Sequence, residues 1–139
     1  LSNQLVGELM LELGRHAEAE AHLRKGLPRF RAALDGEPEE LQFANEIAWA
    51  NVLLGELRAH ANDAAGAKAE WENAVQVLMP FLPNPEGADP GTMDTYARAL
   101  MHLGRIDEAR PWVEALLKAN WSEARLLKLA REKGLAPAE

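Results

Sequence analysis

The chain has 139 residues, with 15 Lys and Arg against 22 Asp and Glu, for a formal net charge of −7. That length fits one domain, and a composition of 47% apolar and 27% charged residues excludes a disordered chain. The acidic balance disfavours nucleic acid as a partner, and no apolar run approaches the roughly 20 residues that a membrane span needs. Cysteine is absent, which excludes disulfides, thiolate nucleophiles and cysteine-ligated metals. The chain begins at Leu1 rather than Met and shows no leader pattern, so it reads as a segment of a longer or processed protein. A cytoplasmic location is expected, with the periplasm as the alternative.

Strand signals are weak, and Ala, Leu, Glu and Arg dominate, as in helices. Apolar residues recur at three- and four-residue spacing in Leu5, Val6, Leu9, Met10 and Leu13, predicting a first helix that ends at Gly14. A second helix is predicted over 16–27, kinked or restarted by Pro28 and continued over 30–34, before a break at 35–38. Ala44, Ile47, Ala48 and Val52 place a long helix over 39–61. Asp63 is expected to cap a helix over 64–79. Four prolines and two glycines between 80 and 91 make that stretch a rigid, extended connection. Thr92 or Asp89 should cap a helix ending at Gly104, Asp107 should cap another, and Ser122 should start a last helix closed by Gly134. The chain is therefore expected to be all-α, with about seven helices.

One spacing frame occurs three times. Gly7, Gly14, Ala19 and Leu23 align with Gly55, Asn62, Ala67 and Trp71, and again with Ala97, Gly104, Ala109 and Val113. Each copy is a helix, a turn carrying Gly or Asn, and a second helix with a small residue near its start. A small residue where two helices cross lets their backbones approach, and a larger one a turn later fills the flank. The segments Leu13-Gly14-Arg15-His16-Ala17-Glu18-Ala19-Glu20 and Leu103-Gly104-Arg105-Ile106-Asp107-Glu108-Ala109-Arg110 resemble the inter-helix turn of tetratricopeptide repeats. Leu54-Gly55, with Asp63 to Ala67, Trp71 and Ala74, resembles the same repeat with an altered turn. The corresponding alanines lie 48 and 42 residues apart, against a family period of about 34, so the array is a degenerate one. The resemblance implies antiparallel helix-hairpin repeats at about 1–37, 38–80 and 92–120, the 80–91 link, and a terminal capping helix near 121–135. The style is that of a bacterial protein's C-terminal part.

Chemistry is poorly represented. Ser2, Ser122, Thr92 and Thr95 sit at or near predicted helix starts, where capping is their ordinary role, and no Gly-x-Ser-x-Gly turn presents a nucleophile. His16, His22, His60 and His102 lack metal-ligand spacing, although His60 and His102 occupy equivalent repeat positions and are expected to face one groove. Glu37, Glu39, Glu40 and Glu46 read as a solvated helix face. Trp71 reads as core. No catalytic, cofactor or metal site is expected.

The resemblance further implies that one face of each first helix lines a concave groove. Carried over position by position, that face is Gln4, Glu8, Leu11 and Glu12 in the first repeat. It is Trp49, Val52, Glu56 and His60 in the second, and Asp94, Arg98, Met101 and His102 in the third. The Lys, Asn and Arg that clamp a partner's carboxylate in the best-known peptide-binding members are replaced here by Gln4, Glu8, Val52 and Glu56. The expectation is a non-catalytic scaffold that binds a basic or mixed-charge peptide or protein, with Trp49, Leu11 and Met101 as apolar anchors. A small-molecule sensor between helices and a self-associating homo-oligomer are the alternative readings.

Overall fold

The computed structural model describes residues 3–138. Seven helices follow one another: α1 (Asn3–Glu12), α2 (His16–Gly36), α3 (Leu41–His60), α4 (Ala64–Leu78), α5 (Pro90–His102), α6 (Ile106–Lys118) and α7 (Ala124–Glu132), with a 3₁₀ turn at Met79–Phe81 before α5. No strand occurs among the described residues. Three hairpins, α1–α2, α3–α4 and α5–α6, stack so that α2 meets α3 and α4 meets α5. The odd-numbered helices α1, α3, α5 and α7 then pack side by side.

One turn design ends five of these helices. Gly14, Asn62, Gly104, Asn120 and Gly134 all adopt left-handed backbone conformations, with φ from 57° to 75°. At Gly14 the N–H bonds the Leu11 carbonyl at 3.1 Å and the next N–H, of Arg15, bonds Met10 at 2.8 Å. The same pair of bonds recurs at the other four, and together they satisfy carbonyls that the helix end leaves open. Glycine and asparagine reach this conformation at the least cost, which is why these two residue types mark the repeats.

The crossings are set by the residues in the repeated frame. A Cβ placed on Gly7 would stand 2.7 Å from Leu23 Cγ, and one on Gly55 would stand 2.6 Å from Trp71 Cδ1. Both glycines therefore give way to the large residue of the facing helix. Trp71 also donates its indole N–H to the Val52 carbonyl at 3.2 Å, and is buried as expected. Ala19, Ala67 and Ala109, the small residues of the second helices, are all buried. Helix α3 joins two core clusters. Ile47, Ala50, Leu53 and Leu57 pack with Ala19, Leu23 and Leu27 of α2, while Ala44, Ala48 and Val52 pack toward α4 and α5. Buried on both sides, α3 is apolar nearly all round.

Several boundaries differ from the sequence expectation. Helix α2 runs unbroken through Pro28 to Gly36. Burial of Leu27 and packing of Phe30 and Leu34 against the α2–α3 core hold the second half in line despite the missing N–H. Asp107 is not the cap of α6. The turn at Gly104 makes Arg105 the capping position, and Asp107 instead pairs with Arg110 at 3.0 Å. Helix α7 is capped by Glu123 rather than Ser122, because the Glu123 carboxylate accepts from the Arg125 and Leu126 N–H groups at 2.9 and 3.0 Å. Asp63 and Asp89 cap α4 and α5, accepting from Gly66 N–H at 2.9 Å and Thr92 N–H at 3.0 Å. Ser2 lies outside the described residues.

Candidate functional site

The inner face, shared by the odd-numbered helices, is organised by a buried arginine. Arg98, in the middle of α5, is only 4% exposed. Its guanidinium reaches Glu8 of α1 and Glu56 of α3, each at 3.4 Å, and Asp94 one turn back at 3.7 Å. A single side chain thus ties three helices together. Arg125 of α7 extends the network: it contacts the Glu8 carboxylate at 3.2 Å and Glu12 at 2.7 Å, and donates to the Glu8 main-chain carbonyl at 3.1 Å. The last helix is thereby bound to the first across the face.

These ion pairs lie between two cavities. The first, about 200 Å³, has Trp49 of α3 and Trp121, just before α7, as large apolar walls. Glu8, Asp94, Arg98 and Glu123 supply its charge, and Asn45, Gly91 and Thr95 complete it. Two polar atoms of its lining residues, the donor Arg98 Nε and the acceptor Asn45 Oδ1, are enclosed by protein and have no hydrogen-bond partner among the described residues. The second cavity, about 290 Å³, is lined by Glu56, His102, Arg125, Lys128, Leu129 and Glu132. His102 lies 3.1 Å from Glu56 and stacks on the Trp71 indole, with ring centroids 4.4 Å apart.

The electrostatics separate the acids of this face. Burial pushes the Glu56 carboxyl up, but the His102 hydrogen bond and the charges of Arg98, His102 and Arg125 more than offset it, leaving Glu56 below the usual range. Asp94 goes the other way. Burial raises it to about 6, against the pull of Arg98 and the 2.7 Å hydrogen bond from the Trp121 indole N–H. An acid raised in the folded state stabilises the fold fully below its unfolded value, and the contribution is lost as pH rises through the folded value. From 3.8 to about 6, the linkage is worth about 3 kcal/mol. Asp94→Asn keeps an acceptor for Trp121 without the titrating proton. Wild type should gain stability in urea titrations as pH falls from 7.5 to 5 by clearly more than Asp94→Asn does; parallel profiles would show that Asp94 is not buried as drawn.

The twelve residues expected to line a groove are divided by the structure. Glu8, Trp49, Asp94 and Arg98 meet at the first cavity, and Glu56 and His102 at the second. Glu12 sits at the exposed edge on Arg125. Val52 and Met101 need correction: both are fully buried in the core between α3, α4, α5 and α6 and present no surface. Gln4 is also fully buried and donates to the Glu46 carbonyl at 3.1 Å, joining α1 to α3. Leu11 packs against the α2–α3 core. His60 does not share a groove with His102; its ring stands edge-on to His16, with centroids 4.1 Å apart. Glu46 is not part of a solvated acidic face either, since burial raises its carboxyl.

Sequence reasoning missed Asn45, Trp121, Glu123 and Arg125 as parts of this site. No periodicity could have found Trp121 or Glu123, because both lie before α7 and are placed by the turn at Asn120 rather than by a helix face. No helix of the described residues is long and apolar enough to cross a membrane. A family model described as tetratricopeptide repeat matches residues 7–25 and 91–115, which span the α1–α2 and α5–α6 turns. Comparison with the curated proteins and with the solved structures gives no match.

Proposed function

We propose that this tetratricopeptide-like repeat domain is a non-catalytic interaction module whose inner face receives a segment of a partner polypeptide, basic or mixed in charge. Repeats of this family generally mediate protein–protein interaction. The observation that carries the proposal is the cavity between Trp49 and Trp121 beside the Arg98 ion network. Its volume of about 200 Å³ falls below the roughly 300–1,000 Å³ of small-molecule sites and is the size of one anchoring side chain. Helices fixed by buried ion pairs present it preformed, so little ordering opposes binding. The acids of the face favour a cationic partner and speed its approach.

Truncating a buried aromatic anchor typically costs about 2 kcal/mol or more of binding. Trp49→Ala, immobilised beside wild type and exposed to lysate of the native cell, should retain a wild-type partner at least tenfold less well. Trp49 also packs on the α2–α3 core, so melting curves on the same preparations are needed to correct for any unfolded fraction. Equal retention by the folded variant would place binding away from this face.

A further inference from the structure

We propose that the Trp49–Trp121 cavity is a receptor for one basic side chain, lysine or arginine, of the bound segment. This deepens the interaction reading above and rests on it. Three carboxylates in the wall, those of Glu8, Asp94 and Glu123, outnumber the single Arg98. The Arg98 charge is already shared among Glu8, Glu56 and Asp94, so the field inside the cavity is negative and an acidic side chain would be repelled. The two indoles add apolar surface for a long alkyl stem and ring faces that attract a cation.

The groups of the wall fit the same occupant. Carboxylates only accept hydrogen bonds, and an ammonium or guanidinium group supplies only donors. An apolar side chain would bring no charge to the three carboxylates, and a small inorganic cation would leave the two indoles uncovered. Together the carboxylates and the aromatic walls describe a long side chain with a cationic tip.

The test is selection of a random displayed peptide library on the whole chain, followed by synthesis of the enriched peptides. The expected result is a Lys or Arg at one fixed position. Replacing it with norleucine, which keeps the stem and removes the charge, should weaken binding at least tenfold. In the titration with the parent peptide, the indole N–H resonances of Trp49 and Trp121 should shift more than that of Trp112. Because the decisive substitution is in the peptide, protein folding does not confound it. Enriched peptides without a basic residue, equal binding of the norleucine peptide, or unmoved Trp49 and Trp121 signals would overturn the inference. If peptides are nevertheless enriched, the interaction reading survives. A library that yields no binder at all overturns both.

Discussion

Gly55→Ala should destabilise the domain by about 3 kcal/mol and lower its melting temperature by roughly 10 °C. The added methyl carbon would overlap the Trp71 indole, with ring atoms Cδ1 and Cε2 at 2.6 and 2.7 Å. Trp71 cannot swing aside freely, because its N–H is bonded to the Val52 carbonyl, and moving the ring leaves this buried donor unpaired. Helices α3 and α4 would have to separate along the most extensive interface of the fold. Gly36→Ala is the matched control: nothing lies within 4 Å of a Cβ there, so its urea midpoint should stay close to wild type. Equal midpoints for the two variants would show that Trp71 is not seated against Gly55.

Arg98→Met should be of similar or greater effect, costing about 3–5 kcal/mol at pH 7.5. The methionine keeps most of the stem volume but leaves Glu8, Glu56 and Asp94 without the cation they share. Glu8 retains Arg125 and Glu56 retains His102, whereas Asp94 retains only the Trp121 hydrogen bond. Loss of Arg98 removes its downward pull on Glu56 and Asp94, so their protonation moves toward higher pH. The deficit relative to wild type should therefore shrink as the buffer is taken from pH 7.5 to 5. Arg110→Met, whose partner Asp107 is 97% exposed, should change stability by no more than about 0.5 kcal/mol. A deficit for Arg98→Met that is small, or constant with pH, would mean that the arginine is solvated rather than central.

The punctuation of the fold is legible in the sequence because it depends on local backbone conformation. Gly14, Asn62 and Gly104 stand where left-handed residues are needed, and the 16-residue interval from Gly7 to Leu23 and from Gly55 to Trp71 marks the two crossings. The inner face is less legible. Residues three and four apart share a side of a helix, but in α3 and α5 nearly every side is buried, so the rule cannot tell the side facing the cavity from the side facing the next hairpin. That is how Val52 and Met101 came to be grouped with Trp49 and Asp94. Glu46 and Arg125 were hidden for a different reason. Each is placed by a helix distant in sequence, Glu46 beside α1 and Arg125 against the same helix from the opposite end of the chain, and no periodicity reports such a meeting.

The Arg125 contact has a consequence for how the stack comes apart. A row of helical hairpins is ordinarily a line with two free ends, and its outermost helices open independently of each other and ahead of the middle. Here the first and last of the described helices grip one another through Arg125 on Glu8 and Glu12, with Glu8 and Arg125 standing 117 residues apart in the chain. Opening α1 deprives α7 of its anchor, and opening α7 strips a cation from the Glu8 that Arg98 also holds. Fraying at one end is thereby transmitted to the other and to the centre, and a line of neighbours acquires the all-or-none melting of a closed body.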